Sequence, residues 1–332
     1  MKPGIRVAVI GAGISGLTFS RALDSQFNVT LFEKANRPGG RVTSKIIGGA
    51  DFDYGAQFFT AKSRPFKAAV AEMVTQGIVD NWRGHFIEFD HTGPCSQRTW
   101  DQAPSHYVGI PNMSAIGDWM AKSLDVCYQT HISRIERKVS GWYLYQGDLE
   151  FGPFDWLVMT MPPQQVCQLL PVSHSFHRQL STIKMQACFA LRVVLKEDVD
   201  LGFTAALVRD HDISWISKNS SKPKRTGAPS IIVQATNNWA DSHLNDDLAQ
   251  IEKHMLHCLN EITGLSSSAI ASSDIKKWVF ANAPKHAGNQ YLLDAESATA
   301  VCSDALISGR IESAFRSAQQ LADAMLQQLK HL

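Results

Sequence analysis

The sequence has no long apolar run. Nowhere in its 332 residues does an uninterrupted stretch of about 18 apolar side chains occur, so no transmembrane helix is expected. It has almost no excess of either charge. With 32 basic against 31 acidic residues the formal net charge is +1, and neither nucleic acid nor a membrane surface is an expected partner. Cysteine is sparse and scattered: Cys95, Cys127, Cys167, Cys188, Cys258 and Cys302 make no C-x-x-C pair. Free thiols in a reducing cytoplasm are expected, and no zinc site. The 12 histidines contain no H-x-x-x-H or H-E-x-x-H pattern, so metal catalysis is not expected. There are no internal repeats. Met1 to Gly4 runs straight into an apolar strand, so no secretory leader is expected. A cytoplasmic location and a small-molecule partner are the expectations compatible with these absences, and the oligomeric state is left open.

What the sequence does have is a strand that feeds a glycine-rich turn. Val7 to Ile10 reads as a buried parallel strand, followed by Gly11-Ala12-Gly13-Ile14-Ser15-Gly16 and a helix to about Ser25. Gly11 permits the tight turn. Gly13 lets backbone amides approach a pyrophosphate, and Gly16 lets the helix lie close on the strand. The helix N-terminus offers unpaired donors and a partial positive charge to that anion. A second strand, Asn28 to Phe32, ends in Glu33, 17 positions past Gly16. That is near the spacing at which a carboxylate accepts hydrogen bonds from ribose hydroxyls.

The next loop, Lys34 to Arg41, departs from a nicotinamide dehydrogenase, which continues from its acidic residue into another helix. Here Pro38-Gly39-Gly40-Arg41 follows, a loop able to pass close to a long dinucleotide, with Arg41 beside phosphate or flavin oxygens. The plain alternative is a surface turn with a solvated arginine. Asp51 to Thr60 is apolar with a glycine at Gly55, where a flat ring can approach; the alternative is a core strand with a bulge. Strands are expected at 78–82, 85–89, 106–110, 155–161, 185–195, 205–208, 214–217, 230–236, 275–280 and 299–302, and helices at 64–76 and 246–263. A final helix runs from about Ser308 to Leu329, preceded by Asp304.

The fold class is therefore α/β: a Rossmann-like dinucleotide-binding domain with an inserted antiparallel-sheet (α+β) substrate domain. The expected division puts 1–76, 111–163 and 296–332 in the first, and 77–110 and 164–295 in the second. Candidates for the substrate pocket are Gln234, Trp239 and Trp278. Gln234 suits a carboxamide, and the two tryptophans suit aromatic walls, with core packing as the alternative for each. Lys222 and Lys224 lie in a proline-containing loop and suit either a substrate phosphate or solvent.

Both ends of the chain together resemble the flavin amine oxidase superfamily, and within it the bacterial renalase-like proteins. The resemblance rests on Gly11 to Gly16, Glu33, Gly39-Gly40-Arg41, Tyr54-Gly55-Ala56-Gln57-Phe58-Phe59-Thr60-Ala61, Pro111 to Ile116, Trp215 to Pro223, Lys277 to Ala281 and Ser308 to Glu312. It implies non-covalent FAD. The cofactor positions it implies are Gly11, Ala12, Gly13, Ile14, Ser15, Gly16, Glu33, Lys34, Gly40, Arg41, Ala56, Gln57, Phe58, Ile132, Asp304, Arg310 and Ile311. Ile132 is implied at the adenine end, Asp304 at the ribityl–phosphate region and Ile311 at the pyrimidine end of the flavin. It further implies oxidation of dihydropyridine isomers of NAD(P)H, with O2 accepting the electrons as H2O2. A small-amine oxidase and an inactive flavin-binding protein are the alternatives. Relatives carry Gly-Asp-Trp-Cys where this chain has Ser303-Asp304-Ala305-Leu306, and Glu-Gly-Ala where it has Glu312-Ser313-Ala314. Side chains at Ser303 and Ser313 are expected to alter the fit of the flavin.

Overall fold

The computed structural model describes residues 4–23, 26–101 and 104–329. The last two residues of the expected first helix, 24 and 25, lie outside them. The chain forms two compact units. The first holds the described residues up to Arg41, then Gly117–Met185 and those from Ala283 on; the second holds Val42–Ile116 and Gln186–Asn282. The sequence reading drew its divisions instead at 76, 110, 163 and 295. The hairpin of Ser44–Ile47 with Ala50–Asp53 accounts for the first difference, because it packs Ala50 and Phe52 against Val194 and Ile232 of the second unit.

A six-stranded sheet organises the first unit. Its strands run in the order Tyr291–Asp294, Thr299–Cys302, Trp156–Met159, Arg6–Ile10, Asn28–Phe32, Asp125–Cys127. All pairs are parallel except the edge pair Tyr291–Asp294 with Thr299–Cys302. Val9 sits in register with Leu31 on one side and Val158 on the other. Val7, Ala8, Val9, Leu31, Leu157, Val158, Ala300 and Val301 are wholly buried, as strands covered on both faces require. The opening helix Ile14–Leu23 and the final helix Ile311–Leu329 lie in this unit, and both grow from the same end of that sheet. Near its start the final helix meets the opening one, where Ser15 Oγ donates to the Ala314 carbonyl at 3.3 Å.

A seven-stranded sheet organises the second unit, in the order Ile270–Asn282, Gln186–Leu195, Ser230–Ala235, Ile213–Lys218, Ala205–Val208, His85–Asp90, Gly93–Thr99. Its pairs are antiparallel apart from Ala205–Val208 with His85–Asp90, which is parallel. The helix Leu248–Thr263 covers one face. Asp247 caps its N-terminus by accepting from Ala249 N and Gln250 N, and Gly264 closes it at φ +69. Its Met255 and Leu259 pack with Phe189, Leu191, Val193, Ile231 and Val233 of the sheet. Side chains alternate along a strand, so Arg192, Gln234, Ser217 and Trp278 belong to the opposite face. That face carries polar residues beside the apolar group Val194 and Ile232, and it holds the candidates Gln234 and Trp278.

Candidate functional site

In the first unit the glycines set the backbone of the turn. Gly11 sits at φ +105, and its carbonyl accepts from Thr160 Oγ1 at 2.9 Å. A Cβ on Gly16 would lie 1.9 Å from the Gly11 carbonyl oxygen, so only glycine lets the helix begin there. A Cβ on Gly13 would meet nothing within 4 Å. Gly13 therefore opens onto free space at the start of the helix, the place a pyrophosphate needs. The second glycine loop seats beside it. Gly39 N donates to the Ala12 carbonyl at 2.8 Å, and Gly13 bridges Gly39. Gly40, at φ +59, brings its backbone against Gly13.

Charged groups surround this cradle. Glu33 is buried, and its two carboxylate oxygens accept from Ala12 N and Ala35 N, each at 2.8 Å. Each oxygen keeps a second lone pair for a hydroxyl. Beside it, Thr130 N donates to the Glu33 carbonyl at 2.9 Å, which brings the segment leading to buried Ile132 to the end of the second strand. Arg41 and Asp304 form a two-pronged ion pair, with Nη1–Oδ2 at 2.9 Å and Nη2–Oδ1 at 2.6 Å. Lys34 and Arg310 are exposed, and Ile311 opens the final helix. Gly11 to Gly16, Glu33, Gly40, Arg41 and Asp304 thus stand together in one unit. Ser303 turns its hydroxyl inward, accepting from Ala305 N at 3.3 Å and donating to Asp304 Oδ1 at 3.2 Å. Ser313 pairs with Ser308 at 2.9 Å. Both added side chains are occupied within their own turns.

In the second unit the polar face centres on a buried carboxylate. Asp53 is wholly buried and accepts from Lys222 Nζ at 3.1 Å, from Arg225, and from Ser44 Oγ at 2.6 Å. Burial alone would raise its pKa, but Lys222 and Arg225 outweigh that and hold it at about 2. Burial drives Lys222 down to about 8 against the pull of Asp53. Both sequence readings of Lys222, a phosphate ligand or a solvated turn, are corrected here. Its side chain has no exposed surface, because it inserts between Asp53, Asn219 and the ring of Trp82. Lys224 is exposed.

Gln57 hangs from the same network. Its Oε1 accepts from Ser217 Oγ at 3.2 Å and Lys222 Nζ at 3.3 Å, while its Nε2 donates to the Asp53 and Gly55 carbonyls. Gln234 Nε2 donates to the Gly55 carbonyl and Trp278 Nε1 to the Tyr54 carbonyl, each at 2.9 Å. Trp278 also stacks on Tyr54, with centroids 5.6 Å apart. Gln234 and Trp278 therefore brace the backbone that leads into Ala56, Gln57 and Phe58. Trp239 does not join them. It packs on the helix-covered face against Phe189, His243 and His254. Phe58 lies among Trp82, Trp100, His106 and Trp215, with centroids 5.0–6.3 Å away. In that aromatic group Trp100 Nε1, Trp215 Nε1 and His106 Nδ1 are buried without hydrogen-bond partners.

The sequence reading missed Asp53 and Arg225. Neither stands in a recognisable spacing, and only the fold brings residues 53, 222 and 225 together.

Known proteins share these features to different extents. The family model for an NAD(P)-binding Rossmann-like domain matches residues 9–73. Renalase of Mus musculus is 21% identical over 277 residues, covering 77% of this chain and 79% of that protein. Coproporphyrinogen III oxidase of Mycobacterium tuberculosis strain ATCC 25618 / H37Rv is 34% identical over 113 residues, 31% of this chain and 23% of that one. Among solved structures, cyclohexylamine oxidase from Brevibacterium oxydans IH-35A superposes with a TM-score of 0.74 at 15% identity. That match covers 99% of this chain and all of that one, and it establishes likeness of fold. Among the described residues no helix is long and apolar enough to cross a membrane.

Proposed function

We propose that this chain, a renalase-like member of the flavin amine oxidase superfamily and an oxidoreductase, binds FAD non-covalently and oxidises a small hydride donor. The donor we favour is a dihydropyridine isomer of NAD(P)H, with O2 as the final acceptor. The observation that carries the reading is the open space in front of Gly13, with Gly40 against Gly13 and Glu33 on the Ala12 amide. A nicotinamide dinucleotide needs only the first glycine turn. The second one, locked to Ala12, suits a cofactor that extends past it.

When bound, the flavin supplies the hydride acceptor. Amides at the start of the helix Ile14–Leu23 receive the pyrophosphate, and Glu33 accepts the ribose hydroxyls on its remaining lone pairs. Ile132 backs the adenine. Ile311, at the amide end of the final helix, is the residue that would hold the pyrimidine end of the flavin. Within the second unit, Gln234 and Trp278 hold still the segment that carries Ala56, Gln57 and Phe58. Gln57 has its carboxamide engaged on both sides, so it positions backbone and donates no proton. A dihydropyridine becomes aromatic as it gives up hydride, and positioning suffices without a strong base. Per turnover one donor, one O2 and one proton give NAD(P)+ and H2O2.

Two measurements separate cofactor from donor. Reconstitution with FAD followed by acid precipitation reads retention and release; a colourless protein overturns the cofactor. Anaerobic mixing with 2- and 6-dihydro isomers of NAD(P)H is expected to bleach the flavin band, with peroxide formed on admitting air. Bleaching by a panel of amines instead overturns the donor and leaves the cofactor standing.

A further inference from the structure

The helix-covered face of the second unit carries a cluster that hydride transfer does not use. His254, Cys258 and Glu261 sit at i, i+4 and i+7 of the helix Leu248–Thr263, so they share one side. Facing them is the turn before the strand Ile213–Lys218, with His211 and Asp212. That turn is pinned where Thr236 N donates to the Asp212 carbonyl at 2.7 Å. The donor atoms of Asp212, His254 and Cys258 all lie within 4.8 Å of one another. His254 Nε2 is 2.8 Å from Asp212 Oδ2 and 3.5 Å from Cys258 Sγ. Trp239 stacks on His254 with centroids 5.0 Å apart and 15° between planes, which sets the plane of the imidazole.

We infer that Asp212, His254 and Cys258 form a binding site for a divalent cation of borderline softness, with zinc as its natural occupant. The donor set decides the class of ion. A thiolate, an imidazole and a carboxylate suit zinc, whereas magnesium and calcium ask for oxygen throughout. In a tetrahedral zinc site the bond lengths put nitrogen about 3.5 Å from sulfur and about 3.3 Å from oxygen. The His254–Cys258 separation already fits. The His254–Asp212 separation, now a hydrogen bond, must open by about half an ångström.

His211 and Glu261 flank the site, and their donor atoms with that of Cys258 also lie within 4.8 Å of one another. His211 Nδ1 accepts from the Asp212 and Ile213 amides, so its proton sits on Nε2, facing Glu261 at 3.8 Å. Glu261 adds negative charge beside Cys258. The side chains of His254 and Asp212 are 40% and 44% exposed, so an ion enters from solvent and water takes the fourth position. Binding converts the Cys258 thiol to a thiolate, and its proton leaves to solvent. Gln234 and Trp278 lie on the other face of the same sheet. The cation therefore ties the 211–212 turn to the helix and takes no part in redox chemistry.

Cobalt(II) is the probe. Metal-free protein titrated with cobalt is expected to develop thiolate-to-metal charge transfer and intense tetrahedral d–d bands, read as difference spectra so that any flavin cancels. Zinc should abolish both and raise the melting temperature. Cys258→Ala is expected to lose the charge-transfer band, while Cys95→Ala keeps it. His254→Gln, at a half-exposed position, is expected to weaken cobalt affinity about tenfold or more. That variant carries the test if Cys258→Ala proves unfolded by circular dichroism. No charge transfer at a large excess of cobalt, an unchanged band in Cys258→Ala, or unchanged affinity in His254→Gln overturns the site.

Discussion

The glycine cradle of the first unit and the polar face of the second are built by opposite means. The cradle uses backbone. Gly11, Gly13, Gly16, Gly39 and Gly40 contribute absence of side chain, and the conformations they adopt are local. The polar face uses buried side-chain charge. Asp53, Lys222 and Arg225 come from positions up to 172 residues apart, and each satisfies the others. A backbone cradle tolerates change nearby but not on its glycines. A buried ion cluster holds only while all its members are present, because removing one leaves the rest uncompensated in a dry interior.

The largest effect should come from breaking the cluster at its centre. Asp53→Asn leaves Lys222 and Arg225 as two buried cations with no anion. The expected cost is about 3–5 kcal/mol, read as a fall in the denaturation midpoint with an unchanged slope. A loss below about 1 kcal/mol would mean that water reaches the cluster and the comparison fails. By contrast, Arg37 and Asp118 form an exposed pair at 2.7 Å in the first unit, and breaking it should cost almost nothing.

Next in size is a dependence on acid. The folded-state pKa of Asp53 is lowered from its ordinary 3.8 to about 2. A depressed carboxyl stabilises the folded state above its unfolded pKa, and that stabilisation drains away as pH falls from about 4 toward 2. At about 1.4 kcal/mol per unit the loss amounts to about 2 kcal/mol. Denaturation midpoints across that range should fall in the parent and stay flatter in Asp53→Asn. Parallel acid limbs would assign the effect to other carboxylates.

Legibility in the sequence follows the same division. Asn28–Phe32, Ala205–Val208 and Thr299–Cys302 fall where apolar runs between turn residues predict them, since burial on both faces leaves a plain signature. Gly93–Thr99 was not legible, because it is an exposed edge strand of polar residues whose only instruction is pairing with His85–Asp90. The nucleotide end of the site was readable for the reason that its chemistry is local. Lys222 was misread because nothing near it in the chain announces Asp53. Trp239 was grouped with Gln234 as a pocket wall, but it stands on the short helix Asn237–Ser242 that follows the strand of Gln234, and that helix packs it on the other face of the sheet.

The cradle makes a sharper prediction of smaller size. Alanine at Gly13 meets no neighbouring atom and needs no unusual φ, so stability should change by less than about 0.5 kcal/mol. The new methyl group occupies the space in front of the helix, and FAD affinity should fall about tenfold or more, measured by flavin fluorescence on titration. Gly16→Ala must behave differently, since its Cβ collides with the Gly11 carbonyl and the fold itself gives way. If Gly13→Ala binds FAD as the parent does, the cofactor does not pass that way.

The smallest effect is expected at Ser303, where the two modes of construction meet. Its side chain stands where the family resemblance implies glycine, yet its hydroxyl caps the turn Asp304–Leu306 by accepting from Ala305 N and donates to Asp304 Oδ1. Asp304 in turn holds Arg41. Ser303→Gly therefore removes a cap at a cost of only about 0.3 kcal/mol, because glycine is itself tolerated at a cap, and leaves the ion pair in place. Melting temperature should drop by less than about 1 °C, and FAD affinity should not change. A variant that instead binds FAD more tightly would mean that the serine crowds the flavin, and that its inward turn gives way when the cofactor binds.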